Sequence, residues 1–286
     1  MRASGTRLAA SYERAIDGHA LAYPRRGGAL DPPTIDMGLF DIFKTKGKGE
    51  THAAAPALDK NVARLAKVAA DKHAQNYDRI EAIEGLARLA SSEAATALLR
   101  RFTFHIDPSI TDQEEKDAAS RGIQAAGESA IEPIRTFCAK AESLTWPLKL
   151  LKELVPSDRY VQLIIQLLDR FDTEYTRNID PKQQLISELE HYSQPAIRPA
   201  VERFLDDAGE GIRFVAVTTV FAQEDAASLP ALVKALIPEE SLRVKMRIAE
   251  GLAARGWTVP AEERDQVRQA LPPQFALDAE GRTKRR

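Results

Sequence analysis

Five histidines and a single cysteine hold most of the metal-binding and nucleophilic capacity of this 286-residue chain, and their spacing gives them no common task. His19, His52, His73, His105 and His191 lie far apart, with no two at i, i+3 or i, i+4, so no helix face offers paired imidazoles to a metal. Cys138 has no second cysteine with which to form a disulfide or a thiolate metal site. It falls among Ile134, Phe137 and Ala141 at helical spacing, the pattern of a small buried apolar residue. The nearest approach to a nucleophile turn is Gly127-Glu128-Ser129-Ala130, which lacks the closing glycine, so Ser129 reads as a helix cap. No glycine-rich phosphate loop is present. The expectation is a protein without metal, cofactor or catalytic residue.

Basic side chains are the next candidates. Arg100, Arg101, Arg135, Arg198, Arg203, Lys234, Arg264 and Arg268 recur along the chain, with Arg243, Lys245 and Arg247 in one cluster. Nucleic acid is the partner such a series would fit. However, Glu132, Asp169, Glu202, Glu262 and Glu263 interleave with it, and 40 basic against 42 acidic residues leave a formal charge of −2. Mixed-sign solvated faces are the plainer reading, and no whole-molecule field would steer the chain to a polyanion.

The elements that position these groups repeat. An Ala/Leu-rich helical phrase returns every ~30 to 37 residues from Leu58 to Phe275, a period characteristic of stacked helix pairs. After a first helix over 58–71, pairs are expected at 79–102, 115–140, 144–171, 182–205, 212–236 and 242–271. Thr111-Asp112-Gln113-Glu114 and Ser129-Ala130-Ile131-Glu132 fit the capping box. Asp180-Pro181 fits a cap followed by a first-turn proline. Pro133, Pro199 and Pro230 each fall early in the second helix of a pair, where the missing amide costs nothing. Three prolines in one register mark the repeat.

In Gly211-Ile212-Arg213-Phe214-Val215-Ala216, in 224–232 and in 79–89, the chain resembles the HEAT-repeat superfamily, especially the short bacterial repeats of the phycobilisome-lyase type. The resemblance covers 58–271. It implies an all-α, right-handed solenoid of about six helix pairs and a non-enzymatic scaffold binding a protein or peptide on its concave face. Its alternatives are a nucleic-acid binder and a lyase or chaperone acting on a chromophore protein.

Two connections exceed a repeat turn. Arg101-Phe102 leads to Ile106-Asp107-Pro108, and Arg170-Phe171 leads to Ile179-Asp180-Pro181. A shared way of leaving one helix and starting the next is the plain reading; one recognition surface formed by both loops is the functional one. The partner-binding candidates are therefore Arg101, Phe104, Asp107, Arg135, Tyr175, Arg177, Arg203, Lys234 and Arg268. Trp146 and Trp257 are expected to plug gaps between repeats.

Residues 1–36 mix glycine, proline and arginine without a period and read as a disordered leader. Met37 opens Gly38-Leu39-Phe40-Asp41-Ile42-Phe43-Lys44 in the manner of a protein start, making Met37 a candidate initiator against Met1. Within 37–57, Leu39, Phe40, Ile42 and Phe43 form a short apolar face before a Lys/Gly/Ala linker. That face would cap the first repeat or, with the lysines of 38–48, make weak peripheral membrane contact. The solenoid spans 58–275 and a basic disordered tail 276–286. No apolar run reaches the ~18 residues of a membrane span, and a cytoplasmic monomer is expected.

Overall fold

The computed structural model describes residues 60–286. The leader, the possible start at Met37 and the apolar face Leu39, Phe40, Ile42 and Phe43 lie outside the described residues. The described chain is mostly helical: α1 (Lys60–Ala69), α2 (Asn76–Leu89), α3 (Ser92–Leu99), α4 (Ser109–Ala125), α5 (Ile131–Cys138), α6 (Thr145–Leu154) and α7 (Ser157–Leu168). There follow α8 (Asp180–Leu189), α9 (Ile197–Glu202), α10 (Glu210–Ala222), α11 (Leu229–Leu236), α12 (Leu242–Arg255) and α13 (Arg264–Ala270). After α1 the helices alternate as first and second members of pairs. α2 packs on α4 and α4 on α6, while α8 packs on α10 and α10 on α12; α3 meets α5, α7 meets α9 and α11 meets α13. The apolar stripes of these helices merge into one buried cluster that includes Ile83, Leu98, Ile134, Leu151, Ile164, Ile186, Val201, Val217, Val233 and Ile248.

Local chemistry explains where helices begin and end. The Ser91 hydroxyl accepts the Ala94 amide at the start of α3 (3.2 Å), and Ser241 accepts the Val244 amide at the start of α12 (3.4 Å). Gly256, at φ 61°, closes α12 in the left-handed conformation that favours glycine. Pro133, Pro199 and Pro230 all lie in the first turns of α5, α9 and α11, as their register requires. The two capping boxes are corrected. Thr111 lies inside α4, because the helix starts at Ser109 directly after Pro108. The Ser129 hydroxyl donates to the Ala126 carbonyl (2.7 Å) within the 3-10 turn Gly127–Ala130, so it satisfies the end of α4 and does not start α5.

Helices approach closely where a side chain is missing. A Cβ on Gly251 would stand 2.2 Å from the Phe221 ring, so glycine is what lets α12 lie against α10. Trp146 stacks on Phe102 with ring centroids 4.8 Å apart and planes 14° apart, and Trp257 lies 5.9 Å from Phe221. Trp257 thus sits between neighbouring pairs, while Trp146 reaches past the α4/α5 pair to the turn after α3; both are half-buried gap fillers.

The C-terminal segment departs from expectation. In place of a disordered tail over 276–286, strands β1 (Phe275–Leu277) and β2 (Thr283–Arg285) form an antiparallel hairpin. Phe275 and Thr283 are buried, and Arg264 donates to the carbonyls of Val259 and Glu280, tying the hairpin to α13. Asp278 accepts the Arg282 amide and pairs with Lys284 at 2.9 Å; the Lys284 ammonium, then the amide, hold its carboxyl down at about 2. The basic composition suggested a solvated tail; Arg282, Arg285 and Arg286 are indeed exposed, but the Lys284–Asp278 pair and the backbone ladder order the segment.

Candidate functional site

Three buried or half-buried ion pairs among the described helix pairs share a pattern that the repeat spacing did not reveal. A cation in the first turn of one first helix reaches a carboxylate that belongs to the next pair. Arg79 of α2 grips Glu115 of α4 with contacts down to 2.8 Å. Lys182 of α8 meets Asp207, in the turn before α10, at 2.6 Å. Arg213 of α10 meets Glu239, in the turn before α12, at 2.7 Å. Asp207 also accepts the Gly209 amide and Glu239 the Ser241 amide, both at 2.8 Å, so each acid shapes its own turn while binding the preceding helix. Burial pushes the Glu239 carboxyl up, but the Arg213 guanidinium and the Ser241 amide outweigh it and leave it below the ordinary glutamate range.

Arg101 belongs to the densest of these clusters. It is fully buried, donating to Glu115 and to Asp112 at 2.7 Å each, and it stacks 4.4 Å from the Phe104 ring centroid. Lys116 completes the group at 2.6 Å from Asp112, with exposed His105 at its rim. Burial would raise the Asp112 carboxyl, yet hydrogen bonds from Lys116 and Arg101 bring it far below the usual aspartate range. Arg101 therefore stands as an internal strut, unavailable to a partner. Phe104 is half-buried beneath it, and Asp107 is exposed ahead of a cis Pro108.

The two long connections differ despite their matching ends. Arg170, the counterpart of Arg101, is exposed, and Asp180 already belongs to α8 where Asp107 precedes α4. Tyr175 is 81% exposed and Arg177 is exposed beside it. Arg135 pairs with Glu132 and Arg268 with Asp265, each within its own helix region and on separate pairs.

Apart from the buried Arg101 and its neighbour Phe104, Arg203 and Lys234 are the two sequence candidates that come together. Both line an open cleft of about 620 Å³ between the end of α9 and α11, with Asp206, Glu240, Ala231 and Ala235. Arg213, Asp207 and Glu239 form its inner wall, so the interlocked acids and the cleft share one edge. The Arg203 guanidinium is already spent on the end of α7, donating to Leu168 (2.8 Å) and Phe171 (2.9 Å) carbonyls and lying 4.3 Å from the Phe204 ring centroid. Lys234, Asp206 and Glu240 are exposed, and their side chains make no hydrogen bond or ion pair with the described residues.

Most of the remaining basic series is also committed internally. Arg198 pairs with Glu202 and Asp225, Arg243 with Glu210, and Arg247 donates to Thr218. Cys138 is buried, and loss of solvation pushes its thiol up to about 12, which keeps it protonated and unreactive near neutrality. Among the described residues no group of three or more His, Cys, Asp or Glu is placed to hold a metal ion, and no helix is long and apolar enough to cross a membrane.

Spacing alone could have flagged Arg79, Lys182 and Arg213, because each is a cation in the first turn of a first helix. Their acid partners sit on a different pair and gave no local signal. No protein-family model matches the chain, and no curated protein matches it in sequence. Fold and geometry define an all-α protein with an open, charged cleft on one edge of its helix pairs.

Proposed function

We propose that residues 60–286 form a HEAT-like solenoid whose function is to bind a protein or peptide partner on the side of its second helices. Six helix pairs follow α1, and each packs chiefly on its sequence neighbours, which is the contact pattern of a repeat array. The observation that carries the binding role is the cleft between α9 and α11. There Lys234, Asp206 and Glu240, exposed charges of both signs with no ion pair among the described residues, line one opening together with Ala231 and Ala235. A volume of about 620 Å³ suits several residues of a partner.

Affinity purification of the full chain from its native host, followed by rebinding of each purified partner, tests this reading. A Lys234→Trp variant should fill the cleft from an exposed position and abolish rebinding while leaving the circular dichroism spectrum unchanged. Rebinding unaffected by that variant removes the cleft from the function. Recovery of nucleic acid, with affinity collapsing between low and physiological salt, replaces the scaffold with a nucleic-acid binder.

A further inference from the structure

The cleft between α9 and α11 has an occupied counterpart one pair earlier, and the occupant is an arginine. Arg203 and Lys234 each lie four residues beyond the register prolines, Pro199 and Pro230, so they hold equivalent positions in successive second helices. Arg203 spans back to the preceding pair and donates two nitrogens to the Leu168 and Phe171 carbonyls at the end of α7. Lys234, at the equivalent sequence position in α11, lines the cleft with the residues that follow α9 and makes no such bond. The junction that a guanidinium closes between α7 and α9 is open between α9 and α11.

The electrostatics of the open junction ask for the same group. Asp207 is neutralised by Lys182, Glu239 by Arg213 and Glu202 by Arg198. Arg203, which also lines the cleft, lies 3.6 Å from Asp169, so Asp206 and Glu240 outnumber Lys234 among the unpaired charges there. A planar fork of donors suits two separated acceptors better than a single ammonium does, which is why the resident lysine leaves the junction unfilled.

We infer that this cleft accepts an arginine side chain presented by an extended segment of a partner protein, with Asp206 and Glu240 as its carboxylate acceptors. The inference rests on the scaffold reading and specifies its partner chemistry. The volume of about 620 Å³ exceeds one side chain, so flanking partner backbone enters with the arginine and lies over Ala231 and Ala235. Lys234 repels a second adjacent cation and so favours isolated arginines over basic runs.

Fluorescence anisotropy of a labelled, capped octapeptide alternating glycine and arginine, titrated with the full chain, tests this directly. A glycine–lysine peptide and a glycine–glutamate peptide serve as comparisons. The arginine peptide should bind at least about tenfold more tightly than the lysine peptide. The double variant Asp206→Asn, Glu240→Gln, both exposed, should lose at least about tenfold of that affinity. Equal binding of the arginine and lysine peptides, preference for the glutamate peptide, absence of binding, or an unaffected double variant would overturn the inference. A native partner that binds without arginine, and is still lost with Lys234→Trp, overturns it while leaving the scaffold reading intact.

Discussion

Replacing Glu115 tests whether the buried charges hold the pairs together. This carboxylate is 1% exposed and accepts from two guanidiniums: Arg79 through Nε and Nη2, and Arg101 through Nε at 2.7 Å. The cluster contains Arg79, Arg101 and Lys116 against Asp112 and Glu115, so it already carries excess positive charge. Glu115→Ala leaves three cations facing Asp112 alone, with Arg79 and Arg101 at 4% and 0% exposure. Breaking a buried pair in this way costs about 3–5 kcal/mol. Glu115→Gln keeps one acceptor oxygen but removes the charge and turns the other oxygen into an NH2 facing guanidinium donors, so a loss of at least about 1.5–3 kcal/mol is expected. The control is Asp265→Ala, which breaks the exposed Arg268 pair and should cost under ~1 kcal/mol. Urea unfolding followed by circular dichroism, with the slope m compared among variants, reads these differences. A Glu115→Ala loss no larger than that of the control would refute the reasoning, because it would mean that the cluster is effectively solvated.

Three further outcomes follow from packing and titration. Gly251→Ala drives a methyl into the Phe221 ring and should cost about 1–3 kcal/mol in the same urea assay, whereas Gly127→Ala, with open space around it, should show only the smaller strain of its positive φ. Glu239 and Asp112 both have folded-state carboxyls held below their unfolded values. Their contribution is therefore complete above pH ~5 and drains as pH falls through and below the ordinary carboxylate range, and Glu239→Gln should flatten the acid limb of a stability-versus-pH curve. Cys138, buried and with its thiol raised to about 12, should resist a thiol-specific chromogenic disulfide at pH 8 in the native state and react promptly in denaturant.

Helices and their breaks were legible because they are local. The apolar stripe of α10, the proline register of α5, α9 and α11, and the turn at Ser91 each follow from residues within a few positions of one another. The failures were also local in origin. Thr111 and Ser129 match a capping pattern, but Pro108 had already started α4 and the 3-10 turn Gly127–Ala130 carried the chain into α5. The matching Arg-Phe and Ile-Asp-Pro ends of the two long connections, which begin at Arg101 and Arg170, suggested either one shared way of leaving a helix or one surface formed by both loops. Only packing showed Arg101 buried among carboxylates and Arg170 exposed. The hairpin at Phe275–Leu277 and Thr283–Arg285 escaped because its strands are too short for a period to show, and their basic residues resemble a solvated tail.

The sequence by itself determined a mostly helical chain of helix pairs, with one cysteine and no two histidines spaced to share a helix face, since periodicity and spacing are properties of neighbours. Tertiary structure alone decided which charges are free. Ion pairs such as Arg79–Glu115, Lys182–Asp207 and Arg213–Glu239 join residues 25 to 36 positions apart. Whether an arginine is a strut or a ligand contact depends on the acid that the next pair brings to it. That is why Arg101 left the candidate surface, while Lys234, in a chemically similar position to Arg203, remained open to a partner.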